Sequence, residues 1–221
     1  MDRSIRTYHA RGGRSQPKAA RAVTELLPRY GVSPSGDPLT PSELFDPPLP
    51  AVVEFGSGMG DATATMATDD PATGIIAVEV HTPGVGRLLR RIDNAGLANV
   101  RVVHGDGVLF LHERVPPGSL AGFRCFFPDP WPKKKHHKRR LIQPELLRLI
   151  VSRLASGAAV HLATDWADYA EQMIEVVTAE PDLDVVFTGA GDCPLPRPET
   201  KFEAKGKAKG HQICDIVAYR S

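Results

Sequence analysis

Residues 51–68 read AVVEFGSGMGDATATMAT. A short apolar run ends in glycines, and an acid then opens a helix-like stretch. Strand, glycine turn and helix in that order form the first unit of a doubly wound α/β fold. The glycines let backbone pass close to a ligand at the strand end. A dinucleotide site calls for G-x-G-x-x-G, but Gly56, Gly58 and Gly60 are spaced G-x-G-x-G and Asp61 follows. A pyrophosphate prefers bare N–H groups and no competing carboxylate, so Asp61 points to a ligand with a cationic group nearby. No GK[ST] follows, which excludes a P-loop.

Downstream, the same alternation continues. Strands are expected at GIIAVEV (74–80), NVRVVHG (99–105), GFRCFF (122–127), AAVHLAT (158–164), LDVVFTG (183–189) and HQICDIVAY (211–219). Helices are expected over 61–68, 84–96, 166–180 and 144–157, the last opened by Pro144 and closed by Gly157. Apolar strands alternating with helices imply a mostly parallel sheet covered on both faces. The final two strands have no helix between them, so an antiparallel edge is expected. The fold class is therefore Rossmann-like α/β, with a seven-stranded sheet and its ligand at the carboxyl ends of the strands.

Upstream, a helix is expected over 17–30, followed by a Pro/Ser/Gly-rich stretch over 31–50 that reads as an extended, partly mobile loop. The organisation is thus an N-terminal basic extension and Pro-rich loop (1–50) and one α/β domain (51–221). The 221 residues suffice for a core without disulfides or metals. Apolar residues at 42% and charged residues at 24% exclude wholesale disorder. No run of eighteen apolar residues exists, and residues 1–20 lack a secretory h-region. Cys125, Cys193 and Cys214 are odd in number, widely spaced and without CxxC, so buried thiols in a reducing cytoplasm are expected. Tyr169, Met173 and Val177 follow helical spacing and read as core.

The net charge of +1 conceals an uneven distribution. Residues 1–29 carry +5, the run KKKHHKRR (133–140) carries +6 and residues 200–210 carry +3, leaving −13 for the rest. Concentrated basic segments on an acidic body suit a polyphosphate partner. The Gly-containing 200–210 segment, with Lys201, Lys205, Lys207 and Lys209, reads as a flexible clamp on that backbone.

Three acids lie at strand ends. Glu54 ends strand 1, Glu79 ends strand 2 where it can accept from both ribose hydroxyls, and Asp106 ends strand 3 within reach of an adenine amino group. Together with the glycines they resemble the S-adenosylmethionine site of class I methyltransferases. Strand 4 runs into Phe126-Phe-Pro-Asp129-Pro-Trp131-Pro-Lys133. Three prolines in five residues fix the backbone and hold Asp129 and Trp131 where such a fold places its reacting group. This loop resembles the [DNS]PP[YFW] loop of methyltransferases that modify base nitrogens.

The segment FPDPWPKKKHHKRRL resembles, more specifically, the hallmark of the bacterial-type tRNA (guanine-N7-)-methyltransferases. Glu54 to Gly60, Glu79-Val-His81, Pro83-Gly-Val-Gly86, Thr164-Asp165, Thr200-Lys-Phe-Glu203 and Gly210-His211 match the same family. Phe55 stands where the family usually has a smaller aliphatic and Gly107 where Ala is common, changes expected to alter packing more than chemistry; residues 7–20 do not align cleanly.

The resemblance implies 7-methylguanosine formation at position 46 in the tRNA variable loop. It implies cofactor contacts from Glu54, Gly56, Gly58, Gly60, Glu79, Asp106 and Asp129, with Asp129 also catalytic. It implies a substrate site of Lys133, Asp165, Thr200, Lys201, Phe202 and Glu203. It implies tRNA contacts from Lys135, His136, His137, Lys138, Arg139 and Arg140. The expected cofactor is S-adenosylmethionine and the expected partner tRNA, without metal, membrane or DNA, in a cytoplasmic monomer or homodimer. His136 and His137 sit in a lysine run with no acidic partner nearby, so phosphate or ribose contact is expected of them. Trp131 reads equally as a stacking surface for a base or as a packed lid.

An NAD-linked oxidoreductase is disfavoured by the glycine spacing, Asp61 and the Pro-Asp-Pro-Trp loop. A base-amino methyltransferase acting on another RNA is disfavoured by Thr200–Glu203 and the basic run. A noncatalytic tRNA-binding protein is disfavoured by the complete set of cofactor acids.

Overall fold

The computed structural model describes residues 17–221, so most of the basic N-terminal extension (1–16) lies outside the described residues. Helix α1 (Pro17–Tyr30) leads to β1 (Ala51–Phe55), α2 (Asp61–Asp69), β2 (Gly74–Glu79), α3 (Thr82–Ala95), β3 (Val100–His104) and α4 (Gly107–Glu113). The second half holds β4 (Leu120–Phe126), α5 (Pro144–Arg153), β5 (Leu154–Thr164), α6 (Ala167–Thr178), β6 (Leu183–Gly189), α7 (Lys201–Ala208) and β7 (Cys214–Arg220).

The seven strands lie in the order β3-β2-β1-β4-β5-β7-β6. The first five are parallel, with Val53 between Ile76 and Phe123 at the centre. The expected antiparallel pairing occurs at the far edge, where β7 runs antiparallel to both β5 and β6. Chain order reverses between β1 and β4, which makes the crevice beyond their carboxyl ends the ligand site of such a sheet. Phe55-Gly56 and Phe126-Phe127 leave the sheet into that crevice.

The central strands are buried on both faces, hence their unbroken apolar runs. One face carries Met66, Val85, Leu88, Leu89 and Ile92 from α2 and α3, and the other carries Phe110, Leu146, Ile150, Tyr169, Met173 and Val177. Tyr169, Met173 and Val177 are core, as their spacing predicts. Cys125 is buried as expected, whereas Cys193 and Cys214 are half-buried.

Four elements differ from the sequence reading. The 31–50 stretch is a strap rather than a mobile loop. Val32 and Leu39 donate backbone hydrogen bonds to Val102 and Arg114, at 2.9 Å each, and Phe45 is buried in the core. Helix α5 stops at Arg153 because Leu154 already pairs with Leu120, and Gly157 lies inside β5. Helix α4 was not anticipated; Asp106 caps it by accepting from Val108 and Leu109. The 200–210 segment is helical rather than a flexible clamp. Thr200 accepts from the Glu203 N–H at 3.0 Å, as the Thr-x-x-Glu pattern of a capping box allows.

Phe55 and Gly107 prove to be partners. A β-carbon at residue 107 would overlap the Phe55 ring. Gly107→Ala alone is therefore expected to cost about 1–3 kcal/mol by overpacking. Adding Phe55→Val should recover part of that loss. Equal destabilisation with and without Phe55→Val in denaturant melts would contradict the pairing.

Candidate active site

Gly56, Gly58 and Gly60 all adopt positive φ, at 78°, 56° and 73°, a region glycine enters without cost. A β-carbon at Gly56 would meet nothing within 4 Å, so the loop leaves an open cradle at the switch point. Glu79 shapes that cradle. One of its carboxylate oxygens accepts from the Gly58 N–H and the other from Val80 and His81, each at 2.8 Å. Asp106 commits one oxygen to the α4 cap.

Glu54 lies fully buried under the glycines. Burial pushes its carboxyl up to about 7, with the Thr63 hydroxyl and then the Arg124 guanidinium pulling the other way. Its Oε2 and the Ser57 hydroxyl are buried without a hydrogen-bond partner among the described residues. Unmet polar atoms beside an open glycine cradle fit a polar ligand carrying hydroxyl and ammonium donors. Asp61 departs from the expectation of a cationic ligand group: its carboxylate pairs with Arg91 and, at 3.0 Å, with Lys201. Lys201 thereby holds the start of α7 against the start of α2.

The second wall is the loop after β4. The Phe127 N–H extends the ladder by donating to Ala163 at 2.7 Å. Phe127 (φ 55°) and Trp131 (φ 44°) both occupy left-handed backbone, which costs a side-chain-bearing residue about 1–3 kcal/mol. The two strained residues bracket Pro128-Asp129-Pro130, and Asp129 is exposed between them. Arg139 stacks over the Trp131 ring at 5.1 Å, and His136 meets its edge.

Arg140 departs from its expected tRNA-facing role. It is only 2% exposed. Its guanidinium donates to the Pro130 carbonyl at 2.9 Å, to Gln172 and to Asp168, and lies over Tyr169. It anchors the loop to α6, whereas Lys133, Lys135, Lys138 and Arg139 are exposed and His136 and His137 half-buried. Contrary to the expectation of no acidic partner, His137 Nε2 lies 3.5 Å from the Asp168 carboxylate that Arg140 also holds. The run forms a 3₁₀ turn over Lys134–Arg139, and that winding turns the last arginine inward.

The remaining candidates gather around α7. Asp165 receives a 2.9 Å hydrogen bond from His211 Nδ1. Phe202 is exposed at the first turn of α7. Glu203 is buried, with its carboxylate between Arg197 and Lys207. Sequence reasoning missed Arg197, whose signal was an arginine three residues before a capping box. It also assigned no role to His211.

His161, Cys193 and Asp215 lie within 4.8 Å of one another, in ligand atoms that could hold a metal. Arg197 donates to both Asp215 oxygens, at 2.7 and 2.9 Å, and so provides that cluster with its own cation. Among the described residues, no helix is long and apolar enough to cross a membrane.

Residues 48–216 match the family model described as a putative methyltransferase. A tRNA (guanine-N(7)-)-methyltransferase from Streptomyces avermitilis is 51% identical over all of this chain and 77% of its own length. A relative of the same name from Nitrosospira multiformis is 45% identical over 97% of this chain and 94% of its own. Among solved structures, a putative methyltransferase from Streptococcus mutans in complex with SAH superposes with a TM-score of 0.51. It is 10% identical and covers 77% of this chain and 88% of its own.

Proposed function

The chain belongs to the tRNA (guanine-N(7)-)-methyltransferase family, and on that premise we propose that its target is guanosine 46 in the variable loop. The reaction is methylation of guanosine N7 in tRNA. The observation that supports a base of a polyanionic substrate as the target is the loop at the switch point, which presents Asp129 between two strained residues beside a lysine run.

S-adenosylmethionine supplies the methyl group. Glu54, Glu79, Asp106 and the three glycines are the groups we assign to holding it, and the unmet buried atoms around Glu54 support that assignment. Guanine N7 carries a lone pair and no proton, so no general base is required. Alignment of the two reactants supplies most of the rate. Positive charge develops on the purine as the bond forms. We assign Asp129 the role of stabilising it, because a preoriented carboxylate favours a cation in place. We assign Asp165, whose carboxylate is held by His211, to accept from the guanine N1–H and N2–H edge, a donor pair that adenine lacks. Lys133, Thr200, Lys201 and Phe202 complete the substrate side in this reading. Lys135, His136, His137, Lys138 and Arg139 engage the tRNA backbone, and the cytoplasm is the compartment such a substrate implies. Hypomodified tRNA incubated with labelled donor should return its label as 7-methylguanosine on nucleoside digestion; label in any other nucleoside would refute the reading.

Glu54 adds a pH signature. In the folded protein it keeps its proton up to about 7, against an ordinary value of 4.5. The folded state therefore binds the extra proton, and Glu54's contribution to stability, complete below the ordinary value, declines as pH rises toward 7. A ligand that donates to the Glu54 anion must displace that proton. S-adenosylhomocysteine affinity should accordingly rise with pH up to about 7, by at most about tenfold per unit, and then level. Glu54→Gln should flatten the profile. Calorimetric titrations at several pH values check this, and a flat wild-type profile would contradict it.

A further inference from the structure

We propose that Arg197 is a positioning residue that couples helix α7, and with it the Thr200–Glu203 segment, to the loop carrying Asp129. Its guanidinium touches three elements at once. Nε and Nη2 donate to the two Asp215 oxygens on β7, at 2.7 and 2.9 Å. Nη1 donates to Glu203 on α7. The flat face covers the rings of Phe126 and Phe127, with centroids at 5.4 and 5.2 Å, at the exit of β4.

Phe127, with its φ of 55°, needs such support. Left-handed backbone at a side-chain-bearing residue persists only where its surroundings over-determine it. From one side the ladder bond to Ala163 fixes Phe127, and Arg197 holds its ring. Asp215 is in turn braced by His161 Nε2 at 2.8 Å, so the guanidinium has a rigid seat. The Arg197 side chain is 7% exposed and that of Glu203 9%. These groups therefore act on the substrate through the loop and α7 rather than by direct contact. Arginine is required because only a planar fork can bind two carboxylates and stack on aromatic faces together. The consequence is mechanical: Glu203 on α7 and the Asp129 loop share one buried cation, so displacement of α7 loosens the loop.

This inference rests on Asp129 lying at the reacting centre, and its test separates the two. Arg197→Lys and Glu203→Gln are measured beside the wild type, on whichever nucleoside the wild type methylates. Each variant should lose about 10–100-fold in kcat through misalignment. The dissociation constants for tRNA and S-adenosylhomocysteine should stay within about threefold. The double variant should be no slower than the slower single one, since both remove the same coupling.

Amide hydrogen exchange provides a readout independent of activity. Exchange at Phe127 and Trp131 should quicken about tenfold or more in both variants while the β1 amides stay protected. Should Arg197→Lys fail to fold, Glu203→Gln keeps the arginine and carries both readouts. Retained kcat with only a lower melting temperature would overturn the proposal. So would a raised KM for tRNA at unchanged kcat, multiplicative losses in the double variant, or unchanged exchange at Phe127.

Discussion

Asp129→Asn is expected to lower kcat by about 10²–10³, the usual loss when one preorganised charge-stabilising group is removed. The substitution keeps the shape and removes the charge. Asp129 lies between Pro128 and Pro130, with left-handed backbone on either side, so the loop's geometry does not depend on its carboxylate. Saturating S-adenosylmethionine must be used, because the family resemblance also implies a cofactor contact for Asp129. The tRNA dissociation constant should change by less than about twofold, since phosphate contacts and not this acid supply most of the affinity. Turnover near the wild-type rate would remove Asp129 from the chemistry.

The second large effect concerns the exposed lysines. Replacing Lys133, Lys134, Lys135 and Lys138 together by Gln should weaken tRNA binding by about 10²–10³ at low salt. The slope of log K against log salt should fall by about 3, near 0.7–0.9 for each lost phosphate contact. Stability should barely change, because all four side chains are exposed. Arg140→Gln, in the same run, should behave in the opposite sense. Its guanidinium is buried on Pro130, Asp168 and Gln172, and about 1–3 kcal/mol of stability should go with it. The salt slope should remain close to that of the wild type. An unchanged slope in the quadruple variant would move the tRNA interface elsewhere.

The contrast between those neighbours shows what could be read from sequence. Glycine spacing after AVVEF and the acids Glu54, Glu79 and Asp106 are local signals, and each sits at a strand end as the alternation requires. Burial of a charge is not local. Nothing in KKKHHKRR distinguishes Arg140 from Arg139, because the difference arises when a 3₁₀ turn aims one of them at α6. Arg197 was missed for the same reason. Its partners Asp215, Phe126 and Phe127 are far from it in sequence and meet only when β7 inserts beside β5. Helix α7, by contrast, was legible. Thr200-Lys-Phe-Glu203 has the sequence of a capping box, of which Thr200 supplies the N-cap bond, but the glycines and lysines after it point toward flexibility.

The loop after β4 also explains how a strained segment can be stable. Arg140 ties Pro130 to α6, and Arg197 supports Phe127 from β7. Two buried arginines thus reach the loop at separate points and leave Asp129 exposed between them.

The central claim, methylation at N7 of the variable-loop guanosine, is tested most directly with two unmodified tRNA transcripts that differ at position 46 alone. One carries guanosine there and the other adenosine. With labelled S-adenosylmethionine, the account predicts 7-methylguanosine from the first and no label in the second. Equal labelling of both, or label from the first in a nucleoside other than 7-methylguanosine, would contradict it.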